Sequence, residues 1–194
     1  MMMRERGFTL IELLIALAIF VILILIAGPM YADFMGNSQI RNAAENTLTG
    51  VRLAQAHAVR SNRPAKFVID SSAIAGGWAV YPFDENTNAF AVVPLETYSW
   101  AEGAPRTTVT LVPDHTTAVT FDGLGRIIPN GWPIPDGTST IKEINVTNTN
   151  ISSPRLLRVV ISTPDINGTR VGTKLCDPDP GVATTDPRHC PASS

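Results

Sequence analysis

Between Arg6 and Asp33 the chain carries a single charged side chain, Glu12, at the mouth of an apolar run. A carboxylate drawn unpaired into a hydrocarbon layer costs roughly 2.5–3.5 kcal/mol on insertion scales, so it calls for a counter-charge. An ammonium held at the same depth would supply one, because two opposite charges in lipid stabilise each other far more than either is tolerated alone. The other residues capable of chemistry are scattered. His57, His115 and His189 fall in different expected elements without metal-ligand or triad spacing, so no metal site and no catalytic residue is expected. Asp84, Glu85, Asn86 and Asn88 offer oxygens but lack the ordered spacing of a calcium loop and read as a polar turn. No nucleophile can be matched with an acid or base, which argues against an enzyme, a cofactor or a small-molecule substrate.

The element that must position Glu12 is the apolar run itself. Residues 13–32, about 20 residues at about 1.5 Å each, span the ~30 Å hydrocarbon core of a bilayer. A secretory signal has a shorter apolar region of about 7–15 residues, with its small-residue cleavage site behind it. Here the small residue, Gly7, stands in front of the run, between a basic leader and Phe8. That order resembles the class III leader of type IV prepilins and pseudopilins. The resemblance implies that a membrane aspartyl prepilin peptidase cuts after Gly7, that the new amino terminus, Phe8, is N-methylated, and that Glu12 becomes the fifth residue of the mature chain. In such a subunit Glu12 can neutralise the Phe8 amine of a neighbour during filament assembly.

Arg4 and Arg6 precede the run and the next positive charge is Arg41, so the amino terminus is expected in the cytoplasm and the rest in the periplasm of a bacterium, with one pass through the inner membrane. Gly28-Pro29 is expected to bend or locally melt the helix near its outer end. The chain of 194 residues, 44% hydrophobic and 16% charged, provides for this anchor and one ordinary domain. Its formal charge of −2 becomes −3 without residues 1–7, which hold two arginines and one glutamate. A mildly acidic protein is not broadly coated for nucleic acid, although a local basic patch remains compatible with it.

Beyond Asp33, Ile40, Ala44, Leu48, Val51, Ala54 and Ala58 recur at spacings of three and four, which predicts an amphipathic helix to about Asn62, stopped by Arg63-Pro64. Branched and aromatic runs at 66–70, 78–81, 109–112, 118–121 and 156–162 predict strands, with most Gly and Pro between them. The expected class is α+β: a long amino-terminal helix packed on an antiparallel β domain.

The helix end 53–62, Gly77-Trp78-Ala79-Val80-Tyr81 with the polar turn after it, and Val119-Thr120-Phe121-Asp122-Gly123-Leu124-Gly125-Arg126 resemble the GspH/FimT family of minor pseudopilins and pilins. The resemblance implies a pilin-like helix-plus-β-sandwich fold and a non-catalytic subunit of a type IV pilus or type II secretion pseudopilus, whose partners are the prepilin peptidase and other minor and major pilins. The expected organisation is a leader over 1–7, a transmembrane helix over 8–32, its amphipathic periplasmic half over 33–63, and a periplasmic β domain over 64–194. Cys176 and Cys190 would lie in the oxidising periplasm and are expected to form a disulfide, constraining the unfolded tail by roughly 3 kcal/mol. Some FimT-like pilins bind DNA through a Gly-Arg-x-Arg segment near the carboxy terminus. The comparable stretch here, Gly168 to Lys174, departs from that pattern, yet if one strand holds Arg170 and Lys174 they share a face and could touch successive phosphates of DNA, which leaves a DNA-binding minor pilin acting in DNA uptake as the alternative reading.

Overall fold

The computed structural model describes residues 9–70, 76–163 and 172–190. Helix α1 (Leu10–Ser61) runs unbroken for 52 residues, about 78 Å at 1.5 Å per residue. Thr9 caps its start: the backbone is extended and the hydroxyl accepts the Glu12 N–H at 3.3 Å. Its end falls where Ser61-Asn62-Arg63-Pro64 predicts. Asn62 turns left-handed (φ 52°, ψ 37°), and its N–H reaches the carbonyls of Ala58 and Val59.

The expected melting at Gly28-Pro29 does not occur, since helical geometry continues through both residues. Proline withholds one backbone donor from a very long ladder, and the clash it imposes on the preceding residue is eased because Gly28 has no Cβ.

After α1 come β1 (Ala65–Asp70), β2 (Gly77–Asp84), β3 (Ala89–Phe90), β4 (Glu96–Ser99), the one-turn helix α2 (Trp100–Gly103), β5 (Thr108–Val112), β6 (Ala118–Phe121), β7 (Ile127–Ile128), β8 (Glu143–Thr147), β9 (Leu157–Val160) and β10 (Lys174–Cys176). They build two antiparallel sheets. The larger has the order β3-β2-β1-β6-β7, with β4 also paired to β2. The smaller has the order β10-β9-β8-β5. The outer half of α1 lies against both, which completes the expected α+β architecture.

The buried face of α1 is made of small residues. Gly36, Ile40, Ala43, Ala44, Thr47, Gly50, Val51, Ala54 and Ala58 are covered at spacings of three and four, while Leu48 is only half-buried. A Cβ on Gly50 would lie 2.7 Å from Trp78 Cδ2 and 2.9 Å from Phe67 Cε2, so the missing side chain is what lets the aromatic rings lie on the helix backbone. From there the rings continue outward as a chain, Phe67 to Trp78 at 5.9 Å, Trp78 to Tyr98 at 6.0 Å and Tyr98 to Trp100 at 5.7 Å between centroids.

Strand β8 is absent from the sequence expectations, although Glu143-Ile144-Asn145-Val146-Thr147 alternates strictly. Ile144 and Val146 are fully buried in the core. On the opposite face Arg158 of β9 reaches Glu143 at 3.2 Å and donates from Nε to Asn145 Oδ1 at 2.7 Å. The polar positions that hide this strand from a hydrophobic scan are therefore paired with one another.

Candidate functional site

Every described side chain from residue 10 to residue 32 is exposed. The most apolar 18-residue stretch of α1 has a mean hydropathy of 3.3 with none of it covered by the rest of the chain, and the helix is long and apolar enough to cross a membrane. Glu12 stands on that uncovered surface. Among the described residues its carboxylate enters no ion pair. Its backbone N–H, by contrast, is held by Thr9. Thr9-Leu10-Ile11-Glu12 has the spacing of a capping box, in which an acidic third residue faces the free N–H groups of the first turn and the positive end of the helix dipole. Glu12 thus has a local reason for its position as well as a capacity to pair with a cation from outside. Gly7, Phe8 and Arg170 lie outside the described residues.

Where α1 leaves the apolar run, a collar closes around it. Asp33 Oδ1 accepts the Ser152 N–H at 2.9 Å, Asn37 Oδ1 accepts the Arg155 N–H at 2.9 Å, and Asn37 Nδ2 donates to the Ser153 carbonyl at 3.2 Å. Between these two residues Ile151 covers Gly36, where a Cβ would sit 2.6 Å from Ile151 Cγ2. The loop between β8 and β9 is thereby bound to the first turns of helix beyond residue 32. Nothing local to either segment signals this contact, since the partners are well over a hundred residues apart in the chain.

Cys176 and Cys190 form the expected disulfide, with Cα atoms 5.0 Å apart. The loop it closes is held from inside. Asp177 donates its N–H to the Arg188 carbonyl at 2.7 Å, Lys174 Nζ donates to the His189 carbonyl at 2.8 Å, and Arg188 grips both oxygens of Asp186. The Arg188 guanidinium, hydrogen-bonded to Asp186, holds that carboxyl down at about 2. Arg155 stands beside the same loop, 3.8 Å from Asp177. β10 begins at Lys174, and Gly172 and Thr173 before it are not in a strand.

The histidines remain apart. His57 is half-buried on α1, where burial and then the Arg60 charge lower its pKa from 6.5. His115 sits in a turn with φ 65°, and His189 Nδ1 lies 3.2 Å from the Val182 carbonyl. Among the described residues no group of His, Cys, Asp and Glu could hold a metal ion. In the polar turn after β2, Asp84 Oδ1 accepts the Asn86 N–H at 2.9 Å, the bond of an Asx turn.

Comparison with known proteins gives three findings. Residues 2–28 match the prokaryotic N-terminal methylation motif, and residues 43–165 match the family of the type II transport protein GspH. Among solved structures the chain is similar to the type IV minor pilin FimU of Pseudomonas aeruginosa strain PAO1, at 16% sequence identity and a TM-score of 0.44, over 73% of this chain and 92% of that one. No curated protein matches the chain.

Proposed function

This chain belongs to the family of the type II transport protein GspH, and from that premise we propose that it is a minor pilin or pseudopilin that primes or joins a type IV pilus or a type II secretion pseudopilus. It is a structural, non-catalytic subunit bearing the methylation motif of the pilin class. In this reading prepilin peptidase cuts between Gly7 and Phe8, the Phe8 amine is methylated, α1 crosses the inner membrane with its amino terminus in the cytoplasm, and the β domain occupies the periplasm.

The observation that carries the reading is the uncovered amino-terminal half of α1 with Glu12 near its start. Lipid tails are as apolar as the leucines and isoleucines of this surface, so no hydrophobic force draws two such helices together. Association then depends on packing and on polar pairs. A carboxylate one turn into the helix of one subunit and an ammonium at the head of the next supply such a pair in a setting where each is costly alone.

The test uses Glu12→Val and Gly7→Glu in the host that makes the filament. Glu12→Val raises the hydrophobicity of the run and leaves the cleavage glycine in place, so insertion and leader removal are expected to proceed while recovery in sheared filaments falls. Recovery at the wild-type level would break the pairing idea. Gly7→Glu is expected to leave a longer, uncleaved membrane-bound form on immunoblots.

A further inference from the structure

We propose that the collar formed by loop 148–156 rests in the phospholipid headgroup layer, so that the β domain is docked on the membrane surface before the subunit is extracted into a filament. This rests on the reading of α1 as a membrane anchor.

The argument is one of depth. The apolar run ends at residue 32. Asp33 and Asn37 therefore stand about 1.5 Å and 7.5 Å further along the helix axis. The polar layer on each side of a bilayer is about 5–8 Å thick, the difference between a ~30 Å core and a 40–45 Å whole. The three hydrogen bonds from Asp33 and Asn37 to Ser152, Ser153 and Arg155 thus fix the collar inside that layer, and a tilt of the helix toward the collar lowers it further.

The surface of α1 away from the collar agrees. Tyr31 is 67% exposed, Phe34 70% and Met35 41%, so the apolar surface continues past Asp33 rather than stopping at it. Aromatic rings at this level are at home in the interface, where one end of the ring is apolar and the other wet. The collar adds Ser152, Ser153, Pro154 and Arg155, all exposed, and Arg155 keeps donors to spare for a phosphate beside its 3.8 Å contact with Asp177.

Charge does not drive the contact. Among the described residues Asp33, Asp177, Asp179 and Asp186 outnumber Arg155, Lys174 and Arg188 around the collar and the disulfide loop, so anionic lipid has no net attraction to offer. The helix sets the depth, and the collar follows because it is tied to the helix.

The test places a nitroxide on Ser153→Cys, Asn86→Cys or Leu23→Cys in the full chain, with the Cys176–Cys190 disulfide kept oxidised. One chain is embedded per nanodisc, which removes a second copy as the covering partner. A small fraction of lipid carries a nickel-chelating headgroup. The label at 153 is expected to relax several-fold faster than the label at 86, which lies on the turn after β2. Equal relaxation at the two positions would overturn the proposal. The label at 23 reports separately on the anchor: it must be reached by oxygen and shielded from water-soluble nickel, and if it is open to water the membrane reading fails first.

Discussion

Along α1, residues 10–32 expose large side chains such as Leu14, Phe20 and Ile22 on all sides, while between Gly36 and Ala58 the same helix turns a face rich in Gly, Ala and Thr, with Ile40 and Val51 among them, against two sheets. The contrast follows from what each half must touch. In the proposed membrane setting the first half meets a solvent as apolar as itself, so bulk on every side is favourable and specific packing is not required within the chain. The second half meets fixed rings and strands, and the bulk is supplied by Phe67, Trp78 and Trp100 while the helix supplies the room. Glu12 sits on the uncovered half, and the packing that stabilises the fold on the covered one.

The sharpest way to break this division is to truncate one isoleucine in each half. Ile40 is fully buried, so Ile40→Ala is expected to cost the β domain roughly 2–5 kcal/mol. Ile22 is 56% exposed, and Ile22→Ala is expected to leave domain stability unchanged. Thermal unfolding of the detergent-solubilised chain, followed by tryptophan fluorescence, compares them. A matching loss at Ile22 would show that the two halves are not independent.

Glycines give a smaller test with two different causes. Gly50→Ala forces a Cβ to within 2.7–2.9 Å of the rings of Trp78 and Phe67, an overpacking cost of about 1–3 kcal/mol, partly offset by about 1 kcal/mol of helix propensity. Apart from its chain neighbours a Cβ on Gly28 meets nothing within 4 Å, but it restores the clash with Pro29 that the glycine eases, so Gly28→Ala is decided by the backbone and not by packing. The unfolding midpoint is expected to fall for Gly50→Ala, and helicity by circular dichroism to fall for Gly28→Ala with the midpoint of the β domain unchanged.

The smallest effect is a pH dependence confined to the covered half. Burial, then Arg60, lowers the His57 pKa from 6.5, so the unfolded chain takes up the proton before the folded one. The contribution is fully present above 6.5 and is lost as pH falls through the lower folded value. Because His57 is only half-buried the slope is shallow, and His57→Gln is expected to flatten it in unfolding midpoints measured from pH 7.5 down to about 5.

Features whose causes are local were legible in the chain. Gly7, Phe8 and Glu12 form one short segment ahead of an apolar run. The end of α1 is written in Asn62 and Pro64, and β1, β2, β5, β6 and β9 follow from branched and aromatic residues. The threonine cap was equally local, in the Thr9 to Glu12 spacing, but was overshadowed by the membrane reading of the same glutamate. β8 escaped because Glu143 and Asn145 look like loop residues until Arg158 is set opposite them. The short strands β3, β4, β7 and β10 have too few residues to show a period.

By itself the sequence determined the membrane-length helix, the place of Glu12 near its start, the disulfide pair and the α+β class, since periodicity, caps and charge placement act within a few residues. Only the tertiary structure decided that a face rich in small residues receives Trp78 and Phe67, and that loop 148–156 is tied to Asp33 and Asn37. Those outcomes depend on which distant segments meet once the sheets have formed, and a contact across more than a hundred residues leaves no spacing to read.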